Sequence, residues 1–427
     1  MADRDTIFAL SSGRPPAAVS VIRISGPRAH EAGKRIAGSL PDARTAAVRS
    51  LRDPASGEIL DEALVLRFDG PASSTGENIV ELQCHGGRAI VDALVGVLAS
   101  IEGLRTAHPG EFTRRAFENG RIDLTEAEGL ADLIEAETQS QRKAALALAE
   151  GGLSKQVADW QQQLLALSAR AERAIDYDED DEPIDPALQN SCRLLADELH
   201  SWLSRPRAER LKDGIRVVIA GPPNAGKSSL LNAITGTNRA IVTEVPGTTR
   251  DHIDVPLSLG GLPILLTDTA GLRESTDRVE AIGVERASKL IEAGDVLVWL
   301  GSSERAPKQA GLIQVHAKAD LPSGCHPPRD SIAVSSVTGE GIAELLASIE
   351  SMARRLLPAE GAIALNRRQA RSVEEAAAAV TDAADSLDIA VLAENLRLAR
   401  SAFDRLTGRA GVEDVLDSLF SRFCLGK

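Results

Sequence analysis

Gly221-Pro-Pro-Asn-Ala-Gly-Lys-Ser228 sets two glycines, a lysine and a hydroxyl in the order G-x-x-x-x-G-K-S, directly after the apolar run Ile215–Ala220 and before Ser229-Leu-Leu-Asn-Ala-Ile234. A strand feeding a glycine loop that opens a helix is the context this motif needs. Glycines let backbone amides approach phosphate oxygens, Lys227 brings charge to the β- and γ-phosphates, and Ser228 offers a hydroxyl to magnesium. Downstream, Gly247-Thr-Thr-Arg-Asp251 supplies a threonine, Thr249, that can reach magnesium and the γ-phosphate, and the strand Leu262–Thr267 runs into Asp268-Thr-Ala-Gly271. Asp268 suits the metal's water shell, and Gly271 leaves its amide free to sense the γ-phosphate. Ala317-Lys-Ala-Asp320 and Ser335-Ser-Val337 then fall where guanine is read, with Asp320 able to accept from the N1 and N2 donors. This order and spacing favours GTP over ATP.

Three features depart from the usual chemistry. A glutamine generally follows D-x-x-G to orient the attacking water, but Leu272 stands there and can neither accept nor donate. Arg250, Arg273 and Glu280 are the polar candidates, and Glu280 could swing in as a water-orienting carboxylate. Ala317 replaces the asparagine of Asn-Lys-x-Asp, leaving guanine specificity chiefly to Asp320. Between the strands Val296–Leu300 and Leu312–His316 only 11 residues remain, too few for a full crossover helix with its turns. Weak nucleotide affinity and shifted base selectivity are expected.

These residues must be carried by more than one domain, since 427 residues correspond to roughly two to four. The 43% hydrophobic and 26% charged content is that of a soluble globular chain and excludes disorder along most of it. A net charge of −14 excludes coating nucleic acid through bulk charge and leaves room for a local basic patch; the 3% aromatic content argues against a base-stacking platform. No window approaches the ~18 apolar residues of a membrane span, and a cytoplasmic location is expected. Cys84, Cys192, Cys325 and Cys424 are far apart, which indicates neither a zinc knuckle nor a disulfide framework.

Alternation at Val19–Ile24 and Ala63–Phe68 predicts strands, and Ala89–Leu98 a helix, giving an α+β domain over residues 1–121. Thr125-Glu-Ala-Glu128 reads as a capping box opening helices that continue to about Ile175. Seven acids in the ten residues Asp176–Asp185 break them, as a solvated loop or a cation site. A helix is predicted from Asp185 to about Arg210, an α/β module over residues 214–356, and helices again over Arg368–Leu406 and Val412–Phe423. Residues 122–213 and 357–427 would each expose an apolar stripe alone, so the module reads as an insertion into one helical bundle.

Motifs spread along the chain carry a resemblance. Val21-Ile-Arg-Ile-Ser-Gly26, Thr75-Gly-Glu77 with Val80-Glu-Leu-Gln-Cys-His-Gly-Gly87, Pro109-Gly-Glu-Phe-Thr-Arg-Arg-Ala-Phe117, Gly247-Thr-Thr-Arg-Asp251, Asp268-Thr-Ala-Gly-Leu-Arg273 and Phe423-Cys-Leu-Gly-Lys427 resemble the tRNA modification GTPase family MnmE, also called TrmE. The resemblance implies a multidomain α/β and α protein. Its parts would be an N-terminal α+β folate-binding and dimerisation domain (1–121), a discontinuous helical bundle (122–213 and 357–427) and an inserted Ras-like P-loop GTPase domain (214–356).

It further implies that GTP is held by Asn224, Ala225, Gly226, Lys227, Ser228 and Ser229, and by Thr243, Glu244, Val245, Pro246, Gly247, Thr248 and Thr249. Asp268, Thr269, Ala270 and Gly271 complete the phosphate end, and Lys318, Asp320, Ser335, Ser336 and Val337 the base end. Mg2+ would bind Ser228 and Thr249, and K+ would bind Asn224, Thr243, Val245 and Thr248 and activate hydrolysis through G-domain pairing. Glu280 becomes the catalytic carboxylate. Arg23, Glu81, Arg121 and Lys427 would touch a tetrahydrofolate one-carbon derivative, although the residues alone read as surface salt bridges. Cys424 would lie near the one-carbon unit or act as a small buried hydrophobe.

The implied partners are a second copy, the flavoprotein MnmG (GidA) in a heterotetramer, and tRNA, which gains a carboxymethylaminomethyl-type group at carbon 5 of its wobble uridine. The alternatives are a ribosome-assembly GTPase switch and a folate-dependent enzyme with a degenerate G domain. Arg354-Arg355 and Arg367-Arg368 with Arg371 are candidates for the tRNA surface, or else a solvated helix face.

Overall fold

The computed structural model describes residues 5–177, 184–237, 240–242, 253–269, 288–321, 330–359, 361–410, 413–423 and 426. It divides into two compact units, Met1–Ala131 with Asp404–Lys427, and Asp132–Phe403.

In the first unit, β1 (Thr6–Leu10), β2 (Val19–Ser25), β3 (Ala46–Arg52), β4 (Ile59–Phe68), β5 (Ile79–His85) and β6 (Leu104–Thr106) form one sheet in the order β3-β4-β5-β2-β1-β6. Alternation sorts its faces: Ile22, Ile24, Val80 and Leu82 are buried under α1 (Ala29–Ala37) and α2 (Arg88–Ser100). Ile7 and Ala9 pack with Phe112 of α3 (Glu111–Glu118) on the other side. Gly110 precedes α3 with φ of 70°, and a Cβ there would lie 2.3 Å from the Phe420 carbonyl oxygen, so only glycine fits. Helix α4 (Leu124–Glu135) corrects the predicted capping box. Asp123 Oδ1 accepts from the Glu126 amide at 2.9 Å, and Glu126 Oε2 accepts from the Asp123 amide at 2.8 Å. The box thus lies two residues before Thr125/Glu128, because aspartate is the stronger N-cap acceptor.

In the second unit, α5 (Gln139–Ala149), α6 (Gly152–Tyr177) and α7 (Pro186–Leu203) precede the short α8 (Glu209–Asp213). The single helix predicted from Asp185 to Arg210 is therefore two, because Pro206 lacks an amide donor and disfavours helical backbone at the residue before it. Trp160 of α6 is fully buried, stacked on Phe403 at 5.5 Å and edge-on to Trp202 at 5.3 Å, and its Nε1 donates to Glu198 at 2.8 Å.

The inserted module is a seven-stranded sheet of β7 (Ile215–Ala220), β8 (Ala240–Val242), β9 (Ile253–Leu259), β10 (Leu262–Asp268), β11 (Val296–Trp299), β12 (Leu312–Ala317) and β13 (Ile332–Val334). Its order is β13-β12-β11-β7-β10-β9-β8. β7 is central, parallel to both neighbours and nearly all apolar, as a strand buried on both faces must be. As the spacing predicts, β11 reaches its parallel neighbour β12 through one 3-10 turn, Ser303–Arg305. Helix α9 (Lys227–Thr235) opens after the glycine loop; α10 (Ile342–Leu356), α11 (Arg367–Asp385) and α12 (Ile389–Thr407) follow, then α13 (Glu413–Phe420) in the first unit.

Trp160→Ala should cost about 3–5 kcal/mol in chemical denaturation, since it empties the ring cluster and strips Glu198 of a donor. Glu111 accepts from Arg105 at 2.6 and 2.8 Å, from the His108 amide at 2.9 Å and from Arg115 at 3.0 Å. Burial opposes its charge, but Arg105, the His108 amide and Arg115 overcome it and hold the carboxyl down at about 2. A depressed carboxylate stabilises the fold fully above its ordinary value of 4.5 and loses that stabilisation as pH falls towards 2. Acid titration of Glu111→Gln should therefore show lower stability at neutral pH and a shallower decline between those values.

Candidate functional site

The phosphate loop is shaped by left-handed backbone at Asn224 (φ 61°) and Gly226 (φ 94°). Gly226 is the N-cap of α9 and supplies no side-chain acceptor, so the first amides of the helix remain available to an anion. Lys227 is 7% exposed, and its Nζ donates to the Gly221 carbonyl at 3.1 Å and the Pro222 carbonyl at 2.9 Å. These neutral acceptors hold the ammonium inside the loop, and phosphate oxygens are stronger ones.

Ser228 Oγ donates to Asp268 Oδ2 at 2.7 Å. The pairing of β10 with β7 sets Asp268 opposite Ile219, and Thr269 Oγ1 anchors the next residue on the Ile219 carbonyl at 3.0 Å. Two hard oxygen donors beside an anion-binding helix end fit Mg2+.

At the base end, Lys318 adopts φ of 62° and its Nζ donates to the Asn224 carbonyl at 2.9 Å, joining the two loops. The Ala319 amide donates to the Val334 carbonyl at 3.1 Å, while the buried Ser335 Oγ accepts from the amides of Val337 at 3.2 Å and Thr338 at 3.1 Å. Ala317 packs on the module's core, so these bonds brace the loop where an asparagine amide would. Asp320 and Val337 are exposed. The structure thus brings the residues of 224–229, Asp268, Thr269, Lys318, Asp320 and 335–337 into one module. Thr243–Thr249, Arg250, Ala270–Arg273 and Glu280 lie outside the described residues.

In the first unit Arg23 and Glu81 are opposite one another on β2 and β5, and Nε and Nη2 of Arg23 both lie 2.9 Å from Glu81 Oε1. The guanidinium also sits 5.7 Å above the Phe112 ring. Side-chain exposures of 26% and 16% leave the pair open to a flat ligand with donor and acceptor edges. Arg121, just past α3, is exposed, and Lys427 and Cys424 lie outside the described residues. The sequence reading missed the polar cluster on this side: Ser25 Oγ donates to Glu77 at 2.8 Å, and Arg115 donates to both Glu77 oxygens at 3.1 and 3.2 Å. The signal was present in the Thr75-Gly-Glu77 and Pro109–Phe117 motifs, but spacing alone did not pair them.

Asp320→Asn should move base preference from guanine towards xanthine, because an amide donates to the xanthine 2-oxo group where a carboxylate accepts from the guanine 2-amino group. Calorimetric titration with GTP, ATP and XTP reads this. An unchanged ranking would remove Asp320 from the base site.

Two family models match: the GTP-binding protein TrmE N-terminus over residues 6–121 and the MnmE helical domain over residues 124–424. The tRNA modification GTPase MnmE of Erythrobacter litoralis is 52% identical over 99% of this chain and 100% of its own length. Those of Novosphingobium aromaticivorans and Zymomonas mobilis are each 49% identical, over 99% of this chain and 100% of their own. A match of this extent reaches both ends of the nucleotide module and the residues outside it, and on that ground the chain belongs to the tRNA modification GTPase MnmE family.

Proposed function

We propose that the chain hydrolyses GTP in the inserted module to drive modification of the wobble uridine of tRNA. The observation that carries this reading is the Ser228–Asp268 hydrogen bond of 2.7 Å, set directly behind Lys227 at the opening of α9. On GTP binding Lys227 would exchange its two loop carbonyls for phosphate oxygens, and Ser228, released from Asp268, would hold Mg2+ with Thr249 while Asp268 would hold the ion's water shell. That ion supplies neutralisation of the β- and γ-oxygens. Glu280 orients the attacking water in place of the apolar Leu272. Asn224, Thr243, Val245 and Thr248 would hold K+ through oxygen atoms when two G domains pair, and the ion would supply positive charge beside the phosphates.

The same reading assigns residues 1–121 to folate binding and dimerisation, 122–213 and 357–427 to the helical domain, and 214–356 to the G domain. Arg23, Glu81, Arg121 and Lys427 hold a tetrahydrofolate one-carbon derivative. The half-buried, mutually paired Arg23 and Glu81 support this, because each partner can turn its remaining hydrogen-bonding capacity to a pterin edge. A homodimer acting with MnmG in the cytoplasm then adds the carboxymethylaminomethyl-type group at carbon 5.

Hydrolysis should be markedly faster in K+ than in Na+ and should rise with protein concentration as G domains pair. Glu280→Ala should lower the turnover rate about 10²–10⁴-fold with little change in nucleotide affinity. In a deletion strain, mass spectrometry of wobble nucleosides should show the modified uridine lost. Equal rates in the two salts would remove the K+ mechanism, and unchanged nucleosides would remove the tRNA reading.

A further inference from the structure

Two segments far apart in sequence meet beside the module. The stretch 204–210, between α7 and α8, lies against 365–374: the Ala208 amide donates to the Leu365 carbonyl at 3.1 Å, and Arg207 Nη2 pairs with Glu374 at 3.0 Å. Glu209 accepts from the Arg367 amide. These contacts set a segment that carries Arg205, Arg207 and Arg210 alongside one that carries Arg367, Arg368 and Arg371. The chain enters the inserted module through one of these segments and leaves it shortly before the other.

The charges are not all spent within the cluster. Arg210 pairs with Asp295 and Arg371 with Glu375, but Arg205 and Arg367 make no ion pair among the described residues, and both are exposed. Arg207 is spent differently, with Nη2 on Glu374 and Nη1 buried, so it braces the two segments. The guanidinium of Arg205 lies 3.8 Å from the ring centroid of the buried Trp202, which holds it flat and lowers the entropy lost when it grips an anion. A planar, always-charged fork matches phosphate in two bonds, whereas lysine acts as a point charge.

We infer that this arginine cluster grips the phosphate backbone of tRNA. The inference rests on membership of a family that acts on tRNA, and it locates the contact. With a net charge of −14 the chain as a whole repels RNA, so approach is favourable only where positive charge is concentrated. The contact is to phosphates, not bases, and therefore positions tRNA without reading its sequence. Its place at the two chain crossings gives bound RNA a hold on both the helical segments and the module.

The test is fluorescence anisotropy of a labelled tRNA transcript with the full chain over a series of salt concentrations. Arg205→Ala/Arg367→Ala should raise Kd about tenfold near 0.1 M salt. It should also flatten the slope of log K against log salt by about 1.4–1.8, as expected for two lost phosphate contacts. Arg397→Ala, which removes a guanidinium from α12 paired with Glu394, should leave both unchanged. Thermal unfolding and GTP hydrolysis should match the parent chain in every variant, which excludes a folding defect. A parent-like Kd and slope in the double variant would overturn the inference. Intact wobble modification alongside that result would leave the family reading standing; lost nucleosides in the deletion strain, with binding weakened only in the double variant, would support both.

Discussion

A nucleotide's phosphates can be held by neutral backbone amides only if those amides are kept free of every other partner, and the geometry between Gly221 and Ser228 follows from that constraint. A side chain able to cap α9 would consume the first amides, so Gly226 stands there. The chain must turn sharply to point those amides inward, so Asn224 and Gly226 are left-handed. A buried ammonium needs acceptors, and the carbonyls of Gly221 and Pro222 supply them. The rest of the module keeps this loop in register with residues that arrive from elsewhere. β10 beside β7 delivers Asp268 to Ser228, and β12 beside β13 delivers Lys318 and Ser335.

How far the sequence discloses this depends on whether a residue's role is local. The loop, the start of α9, the end of β10 and the shortened path from β11 to β12 are set by neighbours in sequence, and spacing alone reads them. The capping of α4 is also local, yet two boxes compete within six residues, and the stronger acceptor, Asp123, decides between them. Pro206 is equally local, and its missing amide together with its restriction of Arg205 accounts for the break between α7 and α8.

What spacing could not supply are pairings across long stretches of chain. The Lys318–Asn224 bond spans 94 residues and explains how the base-reading loop holds without an asparagine at 317. Arg115 with Glu77, and Arg207 with Glu374, are likewise made by the fold. Arg23 and Glu81 occupy an intermediate position: each lies on a legible strand, but only the register of β2 against β5 sets them face to face. Exposed arginines illustrate the limit most sharply. In sequence Arg367, Arg368 and Arg371 are one face of a helix, and only the crossing of 204–210 makes them half of a cluster.

The hairpin of β9 and β10 joins the nucleotide end of the module to the helices of the same unit. Its strands pair continuously from Leu259↔Leu262 to Ile253↔Asp268. At the turn, the Gly261 carbonyl accepts from both the amide of Ser140 at 3.1 Å and its Oγ at 2.8 Å, and Arg354 donates to the Gly260 carbonyl at 3.3 Å. The Thr138–Gln141 capping box fixes the first turn of α5 at that contact. Alongside lies a cavity of about 410 Å³ lined by Ala144, Leu148, Leu211, Pro256, Leu257 and Ile264 among others. The same side chains Leu211, Leu257 and Ile264 belong to the module's buried core, so the hairpin is packed on one side and borders the cavity on the other. The carboxylate that Ser228 engages and the carbonyl that Ser140 engages are thus opposite ends of one continuous hydrogen-bonded element.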